Sequence, residues 1–264
     1  MLLPRASLRE YVSMNLKFEQ TGLQAIVYDG DLVEQPDFQW FDPEYWLANH
    51  AVRGMQSGRG NTLTIETPVG PAVLRNYLRG GWAAHLSRDR YIYTGFSRSR
   101  PFREMQLLAR LRDMRLPVPL PLAAACRRHG LTYSGALLTR QIDGATTLAD
   151  RLGDIQGERS GWIAVGQCIR RFHLAGIAHP DLNARNILLS SHAGDSGQVH
   201  LVDFDRGSLS PAGRRHCLAN LRRLRRSLEK LWPEPQLNGL EGCWLELING
   251  YNEYSDGGKS DGLA

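Results

Sequence analysis

No stretch of this sequence of 264 residues approaches the roughly 18 to 20 consecutive apolar residues that a membrane-spanning helix requires. Its opening, "MLLPRASLREYVSMNLKFEQ", puts proline and charge after three apolar residues, so it lacks the apolar core of a secretory signal, and residence in the cytoplasm is the expectation. Cysteine is sparse: Cys126, Cys168, Cys217 and Cys243 are scattered, none in metal-ligand or CxxC spacing, which predicts reduced thiols. Lysine is almost missing too, since Lys17, Lys230 and Lys259 are the only lysines among 32 basic residues. Against 27 acidic residues the net charge is +5, carried by arginine. Such a surface suits an anionic partner without choosing among nucleotide, sugar acid, lipid headgroup and nucleic acid. No zinc-finger, helix-turn-helix or aromatic-stacking motif accompanies the arginines, which speaks against nucleic acid.

What is present is an ordered alternation of strand and helix signals. "QAIVYDG" reads as a strand entering an Asp-Gly turn, and "FDPEYWLANH" as a short helix capped by Asp42, with Trp46 and Leu47 inward. Beyond Gly54, Gly58 and Gly60, Leu63 and Ile65 alternate with Thr62, Thr64 and Glu66, and "PVGP" turns the chain into a second strand near residues 72–78. A helix follows, with Ser99 at its N-cap, Pro101 in its first turn and Leu107, Leu108, Leu111 and Met114 at helical spacing. Glu104 falls on that apolar stripe, where an acid needs a basic partner. "LPVPLPLAAACRR" is too proline-rich for a long helix, and "LTYSGALLTRQI" reads as a strand pair. The next helix buries Trp162, Val165, Ile169 and Phe172 and stops at Gly176. "NILLS" and "QVHLVDFD" form a hairpin, and a final long helix carries Leu218, Leu221, Leu224, Leu228 and Leu231 among arginines. Neither an internal repeat nor a low-complexity linker appears. The simplest partition is a single domain over residues 1–264: an N-terminal lobe to about 140, a C-terminal lobe over 141–250 and a frayed tail over 251–264.

The chemistry concentrates in "HPDLNARNILL" and in "VDFD". His179, Asp181, Leu182 and Asn186 precede a strand whose hairpin partner ends at Asp203 and Phe204, the order of a protein-kinase catalytic loop and metal loop. Phosphoryl transfer needs a carboxylate near the acceptor hydroxyl, and amide and carboxylate oxygens that hold Mg²⁺ against the phosphates. Asp181 is placed for the first task, Asn186 and Asp203 for the second. The competing account makes these residues turn and cap chemistry around a core hairpin. Upstream, Gly58 and Gly60 would let backbone amides approach phosphate oxygens, though as turn glycines they would be ordinary. Arg75 stands on the second strand where a phosphate-pairing cation belongs. Its pairing with Glu104 explains both residues, separate surface contacts being the alternative. His179 is a brace and not a base, and His173 and His192 carry no partner pattern.

"RFHLAGIAHPDLNARNILL" with "VHLVDFDRG", preceded by "GRGN" and "VLRNYLRGG", resembles the lipopolysaccharide kinases over roughly residues 30–235, most closely the branch acting on 3-deoxy-D-manno-octulosonic acid (Kdo). The resemblance implies an α+β, two-lobed protein-kinase-like fold, with an N-terminal antiparallel sheet plus one helix and a mainly helical C-terminal lobe. ATP and Mg²⁺ would be required, and phosphate would pass to the 4-hydroxyl of Kdo on a lipid A precursor. The implied location is the cytoplasmic face of the inner membrane of a Gram-negative bacterium, with attachment to an anionic membrane surface. By position, Asp181 would be the catalytic aspartate, Asn186 and Asp203 the metal ligands, Arg75 the phosphate-contacting cation, Glu104 its helix partner, and Gly58 and Gly60 part of the phosphate-covering loop. Arginine replaces lysine at 75, Pro180 follows His179, and Asp205 stands where the metal loop usually has glycine.

Few residues separate Asp203 from the last long helix, with no Ala-Pro-Glu stretch, so a protein substrate is not expected. That helix carries Arg214, Arg215, Arg222, Arg223, Arg225 and Arg226, which read either as a solvated face or as contacts to anionic sugar, phosphate or lipid. A different small acceptor, such as heptose or an aminoglycoside, remains the rival chemistry. A silent pseudokinase is the rival class, against which the retention of Asp181, Asn186 and Asp203 argues.

Overall fold

Period-two patterns and glycine turns build the first layer. The structure, a computed structural model, describes residues 14–56, 62–77, 91–155, 158–190, 198–205, 207, 213–233 and 239–254. Gly58, Gly60, His192 and the tail beyond Tyr254 lie outside the described residues. Strands β1 (Leu16–Thr21) and β2 (Gln24–Asp29) form a hairpin turned by Gly22 at φ 57°. Helix α1 (Pro43–Ala48) starts at Asp42, whose carboxylate accepts the Glu44 N–H at 3.0 Å. Trp46 is buried, but Leu47, expected beside it, is exposed, because so short a helix turns one narrow stripe to the sheet.

Strands β3 (Val52–Gln56), β4 (Thr62–Thr67) and β5 (Gly70–Asn76) follow as an antiparallel meander. Leu63, Ile65, Ala72 and Leu74 bury on the outer face with Phe41 and Trp46. Alternation then sends Arg75 to the other face, the one on which Tyr77 joins the inner core. After β6 (Tyr91–Ile92), helix α2 (Arg100–Asp113) packs its buried stripe against that face. Ser99 holds the N-cap position without a side-chain capping bond, and Met114, expected on the stripe, lies past the last turn and is exposed.

The proline-rich segment becomes β7 (Pro121–His129), with Leu122 to Cys126 all buried, since this strand runs through the middle of the sheet. The expected strand pair is one unbroken strand, β8 (Thr132–Arg140). Gly135 inside it marks a close approach, not a turn: a methyl there would meet Pro101 and the Ala125 carbonyl. The sheet order is β1-β2-β7-β8-β5-β4-β3, with β6 on β8.

The second lobe is mainly helical. A small sheet of β9 (Ala145–Thr147), β10 (Ile187–Ser190) and β11 (Gln198–Leu201) sits beside α3 (Arg159–Leu174), α4 (Arg214–Leu231) and α5 (Leu240–Glu253). In α4, Leu221, Leu224 and Leu228 are buried while Leu218 is exposed, so the apolar stripe is narrower than its leucines suggest. The pattern gave no warning of α5. It lies against α3 through Gly166 and Gly250, where an added methyl would strike the carbonyls of Leu247 and Ile163. One inner core runs from the large sheet through α2 into α3, α4 and α5, which fixes the lobes against each other. No helix among the described residues is long and apolar enough to cross a membrane.

Candidate active site

The β10–β11 register pairs Ile187 with Leu201, so Asn186 and Val202 continue the ladder, and the Val202 N–H donates to the Asn186 carbonyl at 3.0 Å. Asp203 comes next, placing both oxygen-bearing side chains at the same end of the hairpin. Asn183 caps the short turn Ala184–Asn186 by accepting the Arg185 N–H at 2.9 Å. Asn186 donates Nδ2 to the Asp181 carbonyl at 2.9 Å. Its amide oxygen, without a partner among the described residues, is the atom left to face a cation. The Asp181 side chain is 60 % exposed, open to a substrate.

His179, 2 % exposed, ties the two loops together. Its Nδ1 accepts the Asp181 N–H at 3.1 Å, so Nε2 carries the proton and donates to the Val202 carbonyl at 2.9 Å. The ring stands edge-on to Phe204 at 4.5 Å. Burial lowers its pKa from 6.5 to about 4, more than its hydrogen bond to Val202 and the nearby Asp203 and Asp181 restore. The imidazole is therefore neutral and structural at physiological pH.

Arg75 bridges the lobes. One terminal nitrogen, Nη1, bonds Asp203, and the other, Nη2, bonds Glu104 and donates to the Tyr77 hydroxyl at 2.9 Å. Tyr77 in turn donates to Glu104 at 2.5 Å. Glu104 is 3 % exposed, so its charge is held entirely by these partners. Burial by itself would lower the Arg75 pKa, but Glu104 and Asp203 outweigh it and hold the guanidinium well above the usual arginine range. Burial, and then Glu104, push the Tyr77 phenol well up, so it stays protonated and able to donate. Asp203 takes a left-handed backbone, φ 66°, a strained conformation for a residue with a side chain. Asp205 also has a partner: it accepts the Arg100 Nε at 2.7 Å from the first turn of α2.

Helix α4 supports the loop over residues 179–186. Asn220 is buried and doubly bonded to the His179 backbone, accepting its N–H at 2.8 Å and donating to its carbonyl at 2.8 Å. One turn along, Arg223 donates Nη1 to the Pro180 carbonyl at 3.0 Å and to the Asp181 carboxylate at 2.9 Å. A further turn along, the Ser227 hydroxyl accepts the Ala184 N–H at 3.1 Å. His173, which showed no partner in the sequence, sits between the Tyr251 hydroxyl at 2.8 Å and Asn220 at 3.3 Å, inside this support.

The structure thus joins Asp181 with Asn186, and Arg75 with Glu104 and Asp203, and ties the two groups together through His179 and the Val202 backbone. The sequence missed Tyr77, Arg100 and Asn220, and it named Arg223 only as one of six arginines on the last long helix, without its bond to Asp181. Tyr77 carried a signal, standing two residues beyond Arg75 on the same strand face. Asn220, Arg223 and Ser227 carried another, a polar stripe at helical spacing beside the leucines.

Comparison with known proteins places this geometry. Residues 43–251 match the lipopolysaccharide kinase (Kdo/WaaP) family. A 3-deoxy-D-manno-octulosonic acid kinase of Xanthomonas oryzae pv. oryzae (strain PXO99A) is 45 % identical over 213 residues, covering 81 % of this chain and 83 % of that protein. One of Stenotrophomonas maltophilia (strain R551-3) is 40 % identical over 234 residues, covering 89 % and 92 %. A solved structure of WaaP in complex with acyl carrier protein shares the fold, with a TM-score of 0.51 at 16 % identity, over 84 % of this chain and 88 % of that one. That structure corrects the partner expectation, which admitted a Kdo–lipid A acceptor and an anionic membrane surface and excluded nucleic acid and protein substrate. WaaP is seen with a protein bound.

Proposed function

Since this chain belongs to the lipopolysaccharide kinase (Kdo/WaaP) family and is one of its ATP-dependent sugar kinases, we propose that it phosphorylates the 4-hydroxyl of Kdo on a lipid A precursor, working at the cytoplasmic face of the bacterial inner membrane. The observation that carries the reading is that two bonded groups, Asp181 with Asn186 and Arg75 with Asp203 and Glu104, meet at one end of the hairpin, joined by His179 and the Val202 backbone. Relatives named as Kdo kinases at 45 % and 40 % identity support the choice of sugar.

Asp181 accepts the proton of the attacking hydroxyl, its carboxylate exposed and its loop fixed by His179 and Asn220. Arg75, held by Glu104 and Tyr77, would pair with the phosphates of ATP. Asn186 and Asp203 suit Mg²⁺: the amide oxygen of one has no competing bond among the described residues, and the carboxylate of the other is 43 % exposed. No three His, Cys, Asp or Glu side chains gather among the described residues as a metal cage. That fits an ion held by one or two protein oxygens together with substrate phosphates. Bound there, Mg²⁺ would offset charge on the transferring phosphoryl group.

The test is incubation of the purified protein with ATP, Mg²⁺ and a panel of lipid A acceptors ending in Kdo or heptose, read by mass and then by phosphorus NMR. One added phosphate on Kdo-terminated acceptors alone, at O4, is the expected result. Phosphate on heptose, or on another Kdo oxygen, would refute the corresponding part of the proposal.

A further inference from the structure

The arginines of α4 read alike in the sequence, and the structure separates them. Arg225 is committed to Glu229 and Glu241. Arg222 and Arg226 line a groove against Trp244 of α5. Among the described residues, Arg223 is the α4 arginine bonded to the catalytic loop, and all its bonds run through Nη1. The Nε and Nη2 atoms have no partner among the described residues, and the side chain is 46 % exposed. A guanidinium so placed keeps one planar edge free, the edge that receives a carboxylate with two parallel N–H bonds. Asn220, a turn earlier, locks the backbone of His179 from the same helix, so the position of that edge is tied to the loop carrying Asp181.

We propose that Arg223 binds the acceptor, its Nη1 orienting Asp181 while its free edge takes the carboxylate of the sugar acid being phosphorylated. The inference rests on the Kdo reading above and deepens it. In Kdo the acid carbon is C1 and the hydroxyl at issue is on C4 of the same short chain, so a base and an anion receiver joined through one guanidinium address both ends. A neutral sugar offers no such second handle. Recognition of this kind discriminates strongly, because an acceptor without the charge leaves the arginine edge unpaired in the occupied site.

The experiment compares two acceptors, Kdo-terminated lipid A precursor and the same molecule with the Kdo carboxylate converted to its amide, in wild type, Arg223→Gln and Arg223→Lys. Wild type is expected to lose on the order of 10- to 100-fold in kcat/KM on the amide, the size of one or two charge-assisted hydrogen bonds. Arg223→Gln should lose a comparable factor on the natural acceptor and then treat the two acceptors alike within about twofold, with KM for ATP unchanged. Arg223→Lys, which keeps the charge and loses the fork, should fall between them. If Arg223→Gln folds poorly, as read by urea unfolding, the lysine variant carries the comparison. Undiminished preference for the carboxylate in both variants overturns the inference, as does a wild type that phosphorylates Kdo without regard to its carboxylate. A wild type that leaves every Kdo acceptor untouched overturns the acceptor reading itself, and this inference with it.

Discussion

Acidification should unfold this protein partly through one histidine. In the folded state burial holds His179 neutral down to pH about 4, whereas the unfolded imidazole takes up a proton from about 6.5 downward. Between those values the unfolded state binds more protons, so stability is complete above the upper pH and is lost as pH falls toward the lower. At about 1.4 kcal/mol per pH unit the full loss is about 3 kcal/mol; it reaches roughly 1.4 kcal/mol at pH 5.5 and roughly 2.6 kcal/mol at pH 4.5. His173, also lowered by burial, loses stability in the same direction and must be separated from it. The assay is urea unfolding of wild type and His179→Gln at pH 7.5, 5.5 and 4.5, each protein referred to its own value at pH 7.5. The reference removes the variant's fixed cost and leaves His173 in both. The variant should lose less stability than wild type by those amounts, whereas parallel curves would show that the buried imidazole does not titrate as its surroundings dictate.

Three further outcomes follow from named contacts. Glu104→Gln takes the helix charge from a buried pair, so stability should drop by about 3 kcal/mol. Arg75 is then left to Asp203, so the Mg²⁺ concentration for half-maximal activity should rise severalfold; an unchanged Mg²⁺ dependence would refute this competition. Asp205→Gly frees Arg100 at the start of α2 and should cost about 1 kcal/mol in urea, with a severalfold rise in KM for ATP that restoring the charge with Asp205→Glu partly reverses. Gly166→Ala forces a methyl onto the Leu247 carbonyl and should cost about 1 to 3 kcal/mol, lowering Tm by several degrees, while kcat per folded molecule stays at the wild-type value.

The readable parts of this protein are those in which a local period decides the outcome. Alternation put Leu63 and Ile65 together on one buried face, and the helical stripe placed Glu104 among leucines, so a buried acid and a strand arginine could be matched before any contact was seen. Fixed spacing did the same for the Asn186–Asp203 hairpin. Where tertiary packing decides, the pattern fell silent. Helix α5 opens at a left-handed Gly239, lacks a side-chain cap and contains Gly242 and Gly250, so its local signals are poor and its stability comes from lying against α3. Gly135 within β8 imitated a turn because only Pro101 and the Ala125 carbonyl, far off in sequence, explain it. Arg223 shares a polar stripe with Asn220 and Ser227, but nothing local tells which partner that stripe meets. Separating Arg223 from Arg222 by what they touch needs the 100° step of a helix already docked beside the loop that carries Asp181.

The two departures from the usual kinase pattern at residues 75 and 205 explain each other through α2. A lysine at 75 would present one compact ammonium, whereas arginine's fork meets Asp203 through Nη1 and Glu104 through Nη2 at the same time. Asp205 gives the loop over residues 203–205 a second hold on the same helix, through Arg100 one turn before Glu104. Between the two anchored acids lies Phe204, buried against Phe172 and His179, so the loop is fixed at three successive residues. That anchorage compensates the strain of the left-handed backbone at Asp203, which a freely hinged loop would relax. A shift of α2 must therefore carry the Asp203 carboxylate with it, because the loop's two lobe-crossing contacts, Arg75 to Asp203 and Arg100 to Asp205, are braced by or begin on that helix.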